Sequence, residues 1–332
     1  MRSLILIVLL LIVCASPASA IVVDGKVVKP VTTYSIVARD AKTGQLGVAV
    51  QSHWFSVGAN VPWVKAGVGA VATQSLTDVT YGPLGLELMQ AGKTAEQALR
   101  GLVRADDNPQ WRQVGMMDAQ GNRAVHTGRK CIRQAGHATG KDFIVMANLM
   151  EKATVWDAMA RAFRDSKGDL TEKMLAALEA AQDEGGDIRG RQSAAIIVVT
   201  GKPTGVPYKD TIVDLRVEDS PEPVKELRRL VGISRAYRFM NEGDERLTEK
   251  DTEGALKAYG RAMELAPHIT EIQFWSALTL FTTGHEKQAL EYFKEVFAKD
   301  ANWVEVLKRL PKADLLDNDD GQVDRILGAA SG

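Results

Sequence analysis

The sequence predicts an α+β protein: a four-layer αββα sandwich followed by an all-α region of helical repeats. Three observations predict it. Strand and helix signals alternate in blocks (strands, a helix pair, strands, a second helix pair, closing strands), which suits antiparallel sheets covered by helices and not a parallel βαβ fold. The run Ser193–Val199, S-A-A-I-I-V-V, is almost wholly apolar, as in a strand buried on both faces. After Val217 the texture turns helical and repeats at 34 residues, from Tyr259 to Phe293.

Residues 1–20 read as a signal peptide: Arg2 supplies the positive start, Leu4–Val13 the apolar run and Ala18-Ser19-Ala20 the small-residue cleavage site. The run is shorter than the roughly 20 residues that span a bilayer, so a periplasmic or secreted protein is expected. Residues 21–32, with a turn at Asp24-Gly25, form an N-terminal extension or propeptide. The sandwich is expected over 33–218. Its first strands, Thr33–Arg39 and Leu46–Ser52, make a hairpin across the turn Ala41–Gln45. The Gly/Ala-rich strand Val68–Gln74 follows, then helices over Gly82–Ala91 and Thr94–Arg104. Strands come next at Trp111–Asp118, Asn122–Thr127 and Phe143–Ala147, and helices at Val155–Ser166 and Leu170–Ala181. Strands Ser193–Val199 and Thr211–Val217 close the domain.

Pro221 and Pro223 break regular structure and mark a linker. Helical repeats are expected over 219–313: Ala255–Tyr259 aligns with Ala289–Phe293 and Gly243 with Ala277, and Pro267 closes the first unit. Period and positions resemble tetratricopeptide repeats, with small residues where helices touch and aromatics in the seam. Two repeats leave an apolar face open, to be covered by a helix near Trp303–Leu310 or by docking on the first domain. An acidic, solvated tail is expected over 314–332.

Of the 332 residues, 45% are hydrophobic and 25% charged, an ordinary globular composition, and the net charge is −1. No basic patch points to nucleic acid. Cys131 is the one cysteine beyond the signal peptide, so no internal disulfide is expected; an inert buried thiol is the simplest reading. His126, Cys131 and His137 match no zinc-ligand spacing, and His53 follows a strand. The Gly67–Gly69 cluster precedes a strand, whereas phosphate cradles precede helices. No metal and no cofactor are expected.

Several separated motifs, in order, carry a specific resemblance. They are T-Y-S-I-V-A-R-D (Thr33–Asp40), V-P-W-V-K-A-G-V-G-A-V-A-T-Q-S (Val61–Ser75), Y-G-P-L-G-L-E-L-M (Tyr81–Met89), H-T-G-R-K-C (His126–Cys131), A-G-H (Ala135–His137) and G-G-D-I-R-G-R-Q-S-A-A (Gly185–Ala195). Over about Thr33 to Val217 the chain resembles the bacterial domain-of-unknown-function 1028 family, placed among the N-terminal-nucleophile hydrolases. That resemblance implies the αββα sandwich and amide-bond hydrolysis, with Thr33 as nucleophile.

Such chemistry has a plain requirement. A threonine hydroxyl needs a base, and a free α-amine on the same residue, with a pKa of about 7.7–8.0, supplies one. Signal cleavage after Ala20 leaves Ile21 first, so a second cut between Thr32 and Thr33 is needed. Asn148, at a strand end, is a candidate oxyanion donor. By analogy with N-terminal-nucleophile sites, Asp187 and Ser193 would support the amine. Ser35, Arg39, Asp40, His53, Thr73, Gln74, Ser75 and Arg191 are candidates for the pocket. Blander readings stand beside these: Thr33 as a β-branched strand residue, Asp187 paired structurally with Arg189 or Arg191, Asn148 as a turn cap.

The expected partner is a small amide or peptide-like substrate. The alternative is a non-catalytic scaffold whose repeats bind a partner protein or peptide, or a second copy of the chain.

Overall fold

The computed structural model describes residues 21–330 apart from 24–25, 29 and 318–320, with side chains described from Val31 to Ala329 within that range. The predicted signal peptide lies outside these residues. In chain order come strands β1 (Ile21–Val23), β2 (Lys26–Val28), β3 (Pro30–Val31), β4 (Thr33–Arg39), β5 (Leu46–Ser52), β6 (Pro62–Lys65) and β7 (Gly69–Leu76). Helices α1 (Tyr81–Gln90) and α2 (Ala95–Ala105) follow, then β8 (Arg112–Asp118), β9 (Arg123–Thr127), β10 (Gly136–Gly140) and β11 (Phe143–Ala147). After α3 (Val155–Asp165) and α4 (Leu170–Asp183) come β12 (Ser193–Val199), the short α5 (Pro207–Asp210) and β13 (Thr211–Val217). The rest is helical: α6 (Pro223–Thr248), α7 (Thr252–Leu265), α8 (Thr270–Thr282), α9 (Glu286–Lys299), α10 (Asn302–Arg309) and α11 (Gln322–Ala330).

Two antiparallel sheets form the body. One has six strands in the order β10-β11-β4-β5-β12-β13; the other runs β3-β7-β8-β9, with β6 also on β7. Alternation along β4 shows how they stack. Tyr34, Ile36 and Ala38 face a core shared with Met159, Leu175 and Leu178 of α3 and α4. Val37 and its neighbours Val48 and Val50 face the second sheet, against Ala70, Ala72 and Met117. On the far side of that sheet, Val71, Val114 and Met116 pack on Leu86, Ala98 and Leu99 of α1 and α2. Gly115 lets the sheets approach closely, since a Cβ there would lie 3.1 Å from Met146. Thr94 opens α2 with a reciprocal capping box to Gln97, and Asp169 caps α4; each such cap contributes about 1 kcal/mol.

Two expectations are corrected. The first domain does not stop at residue 218: Val224, Leu227 and Val231 of α6 join the core that α3 and α4 share with the six-stranded sheet, with α6 packed on β12, β13 and α4. Arg228 then bonds Glu172 at 2.9 Å and also Glu179, and Arg235 grips Asp169 at 2.6 Å and also Glu172. The 26-residue α6 therefore spans from one core to the other over about 39 Å. Nor is the end of the chain a solvated tail, because Leu316 and Ile326 are buried in the helical core and α11 packs on α9. Among the described residues no helix is long and apolar enough to cross a membrane.

Candidate active site

One end of the six-stranded sheet carries a row of polar residues. The hairpin register sets Thr33 opposite Ser52, the next pairing sets Ser52 opposite Ser193, and Asn148 follows the last residue of β11, beside Tyr34. Cross-strand partners share a face, so Thr33, Ser52 and Ser193 all look toward the second sheet. All four residues of the row are fully buried.

The densest polar contacts gather on the peptide that enters Thr33. The Thr32 carbonyl accepts hydrogen bonds from Ser52 Oγ at 2.5 Å and from Arg189 Nη2 at 2.8 Å. Two donors aimed at one carbonyl oxygen are what an oxyanion site requires. Thr33 Oγ1 donates to the Val31 carbonyl at 2.8 Å. Asp187 holds the guanidinium in place. Its buried carboxylate accepts from Arg189 Nε at 3.0 Å and Nη2 at 2.7 Å, and from the backbone N–H groups of Arg189 and His53. The ion pair foreseen as the bland reading of Asp187 thus forms, and it aims a donor at Thr32.

Behind Thr33 lies a buried amide network. Ser35 Oγ donates to Gln74 Oε1 at 2.6 Å, and Gln74 Nε2 donates to the Thr33 carbonyl and to Gln113 Oε1. Asn148 Nδ2 donates to the same two acceptors, and Asn148 N also bonds the Thr33 carbonyl at 3.1 Å. Gln113 Nε2 is shared among Thr127 Oγ1 and the carbonyls of Gly136 and Ala147. Every donor here is spoken for, which orients the backbone of Thr33.

The other predicted residues sort by position. Asn148 spends its donors on Thr33 O and Gln113, so the donors at the Thr32 carbonyl are Ser52 and Arg189 instead. Ser193 Oγ donates to the Trp54 carbonyl and accepts from Val57 N, pinning a loop without touching Thr33. The His53 ring sits 3.4 Å from the Arg191 carbonyl, and Arg191 pairs with Glu222 of the linker. Thr73 pairs with Val114 on the helix-covered face and bonds the Asp78 carbonyl. Arg39 and Asp40 lie at the opposite end of β4, roughly 20 Å away at 3.3 Å per residue, where Asp40 caps the hairpin turn. Ser75 adopts φ 76° where it pairs with Val31.

That strain is not isolated. In 33–217 the non-glycine residues with positive φ are Ser56, Ser75, Gln134 and Leu149, and all four lie in segments that meet at the Thr33 end. Such strain costs of order 1–3 kcal/mol per residue and concentrates at functional sites. His126, Cys131 and His137 each have separate partners: the Pro109 carbonyl, the Arg112 carbonyl and Thr127 Oγ1. Burial pushes the Cys131 thiol up and the His137 ring down, so neither ionises readily at neutral pH.

Sequence reading passed over Ser52 and Gln113. The hairpin itself held the signal for Ser52, since pairing Arg39 with Leu46 puts Ser52 across from Thr33.

A family model described as a family of unknown function (DUF1028) matches residues 33–227. A crystal structure of a protein from Silicibacter pomeroyi carrying the same family model is 29% identical, with a TM-score of 0.54. The match covers 60% of this chain and 88% of that one. No curated protein matches the chain.

Proposed function

This chain belongs to the DUF1028 family, and from that premise we propose that it is the precursor of an exported amidohydrolase of the N-terminal-nucleophile type. In this reading the stacked sheets and their helix pairs are the αββα sandwich of that class, and the C-terminal helices are tetratricopeptide-like repeats. The observation that carries it is the Thr32 carbonyl, held by Ser52 and Arg189 directly before a buried threonine hydroxyl.

The first reaction is internal. The Thr33 hydroxyl oxygen bonds to the Thr32 carbonyl carbon, the C–N bond breaks, and the hydroxyl proton ends on the Thr33 nitrogen. Water then cleaves the resulting ester, leaving a Thr32 carboxylate and a chain that starts at Thr33. The new α-amine is the base for later turnovers, on a small amide or peptide-like substrate. Intact-mass measurement of purified variants tests this: Thr33→Ala must stay uncut between residues 32 and 33, while Thr33→Ser is still cut there. A Thr33→Ala chain cleaved at that bond refutes it.

One observation favours a second reading. In the intact chain the Thr33 nitrogen is an amide and its side chain is fully buried. A chain that never cuts itself is the scaffold, with the helical repeats holding a protein partner. Deleting the residues after Ile233 separates the two readings, since a hydrolase would stay active and a scaffold would lose its ligand; the cut lies beyond Val224, Leu227 and Val231, which belong to the first core.

A further inference from the structure

The extension before Thr33 is built into the sheets. β3 pairs antiparallel with β7, Pro30 opposite Leu76 and Val31 opposite Ser75. It continues the edge of β7 that β6 occupies from Gly69 to Ala72. The Val31 side chain is buried in the apolar cluster between the sheets, with Val57, Val61 and Ala72. One residue on, the Thr32 carbonyl rests under Ser52 and Arg189, and the Thr33 hydroxyl follows. A strand edge, an apolar seat and a carbonyl cradle therefore succeed one another and end at the proposed nucleophile. The Thr32 hydroxyl, by contrast, is buried with no hydrogen-bond partner, so the extension fits this track imperfectly.

The geometry points to an extended peptidyl acyl chain as the substrate class, bound in the track that residues 30–32 occupy before the cut. Its backbone adds to β7 along Ser75–Leu76. A branched apolar side chain fills the seat of Val31, and the carbonyl of the following residue lies under Ser52 and Arg189. This inference rests on the reading of Thr33 as nucleophile. The bond that forms joins Thr33 Oγ to that carbonyl carbon. The bond that breaks is the amide C–N, whose nitrogen leaves as an amine carrying the proton relayed by the Thr33 α-amine. Water then releases the peptidyl acid and restores the hydroxyl.

The test uses the full-length, self-cleaved protein, freed of its cut extension, and four fluorogenic coumarin amides. These are acetyl-Lys-Pro-Val-Thr, the same peptide with glycine or aspartate in place of valine, and acetyl-Thr alone. Burying a valine side chain is worth roughly ten- to a hundredfold in affinity. The expected kcat/KM is therefore at least tenfold higher with valine than with glycine, lower still with aspartate, and lowest for acetyl-Thr. Free acetyl-Lys-Pro-Val-Thr acid should compete with the best probe. If a chain starting at Thr33 cuts all four alike, or none, the track is refuted while self-cleavage still supports the nucleophile. If no chain starts at Thr33, or if Thr33→Ala turns over the probes fully, both ideas fall.

Discussion

Replacing Ser52 by alanine isolates the chemical claim from the stability of the fold. Ser52 Oγ is one of two donors on the Thr32 carbonyl, the other being Arg189 Nη2. Removing one oxyanion donor costs about 10²–10³ in rate, or about 2.7–4 kcal/mol of transition-state stabilisation. The folded state loses much less. The Thr32 oxygen keeps Arg189, no buried acceptor is orphaned, and a single net hydrogen bond is worth about 0.5–1.5 kcal/mol. Ser52→Ala should therefore melt within a few degrees of the parent yet cut itself at least a hundredfold more slowly, while Ser52→Thr keeps a hydroxyl and most of the rate. The assay is a time course of intact mass after purification, with circular dichroism on the same samples. A folded Ser52→Ala chain that matures within threefold of the parent rate would show that the Thr32 carbonyl is not the reacting group.

Other substitutions probe the supporting structure. Arg189→Met leaves the fully buried Asp187 carboxylate with only two backbone N–H donors, and should cost about 3 kcal/mol of stability as well as slowing self-cleavage, read by denaturant unfolding and intact mass. Gln113→Leu takes one acceptor from both Gln74 and Asn148. At roughly 1–3 kcal/mol per unsatisfied group it should lower Tm by about 5–10 °C in a thermal melt. Gly243→Val would place a Cβ 2.3 Å from the buried Tyr259 ring, and should destabilise the helical region by about 1–3 kcal/mol while leaving self-cleavage intact. Burial alone would raise Glu172, but hydrogen bonds and charge from Arg228 and Arg235 outweigh it and hold the carboxyl below the 4.5 of an unperturbed glutamate. Its contribution is thus fully present above pH 4.5 and is lost as pH falls through the depressed value. Melts at pH 7 and pH 3 should show the drop, and Glu172→Gln should shrink it.

Much of the fold was legible because its strands announce themselves. Ser193–Val199, read from its apolar run, and Thr211–Val217 and Phe143–Ala147 occupy the ranges expected of them, and the hairpin turn after Asp40 set the register of β4 and β5. β6 and β10 escaped notice: Pro62 opens one, and Gly136-His137-Ala138-Thr139-Gly140, with two glycines and Thr139 as its one β-branched residue, carries little of the bulk and branching that mark a strand. The acidic stretch after Asp314 suggested solvent, yet two apolar residues, Leu316 and Ile326, suffice to dock it. At the site, Thr33, Gln74 and Asn148 were legible as polar residues at strand ends, and Asp187 as an acidic residue in the Gly-rich loop before β12. Of their partners, Ser52 was within reach of the hairpin register, whereas Gln113, on β8 of the other sheet, joins the amides only through the stacking of the two sheets. Arg39 and Asp40 misled for the opposite reason: sequence neighbours of Thr33 on a strand are carried steadily away from it.

The most direct test is the first residue of the mature, exported protein, read by N-terminal sequencing beside an amide-hydrolysis assay on the same preparation. The account predicts threonine, then tyrosine and serine, with activity rising as that species accumulates. A protein that begins at Ile21 and hydrolyses amides at full rate would contradict it.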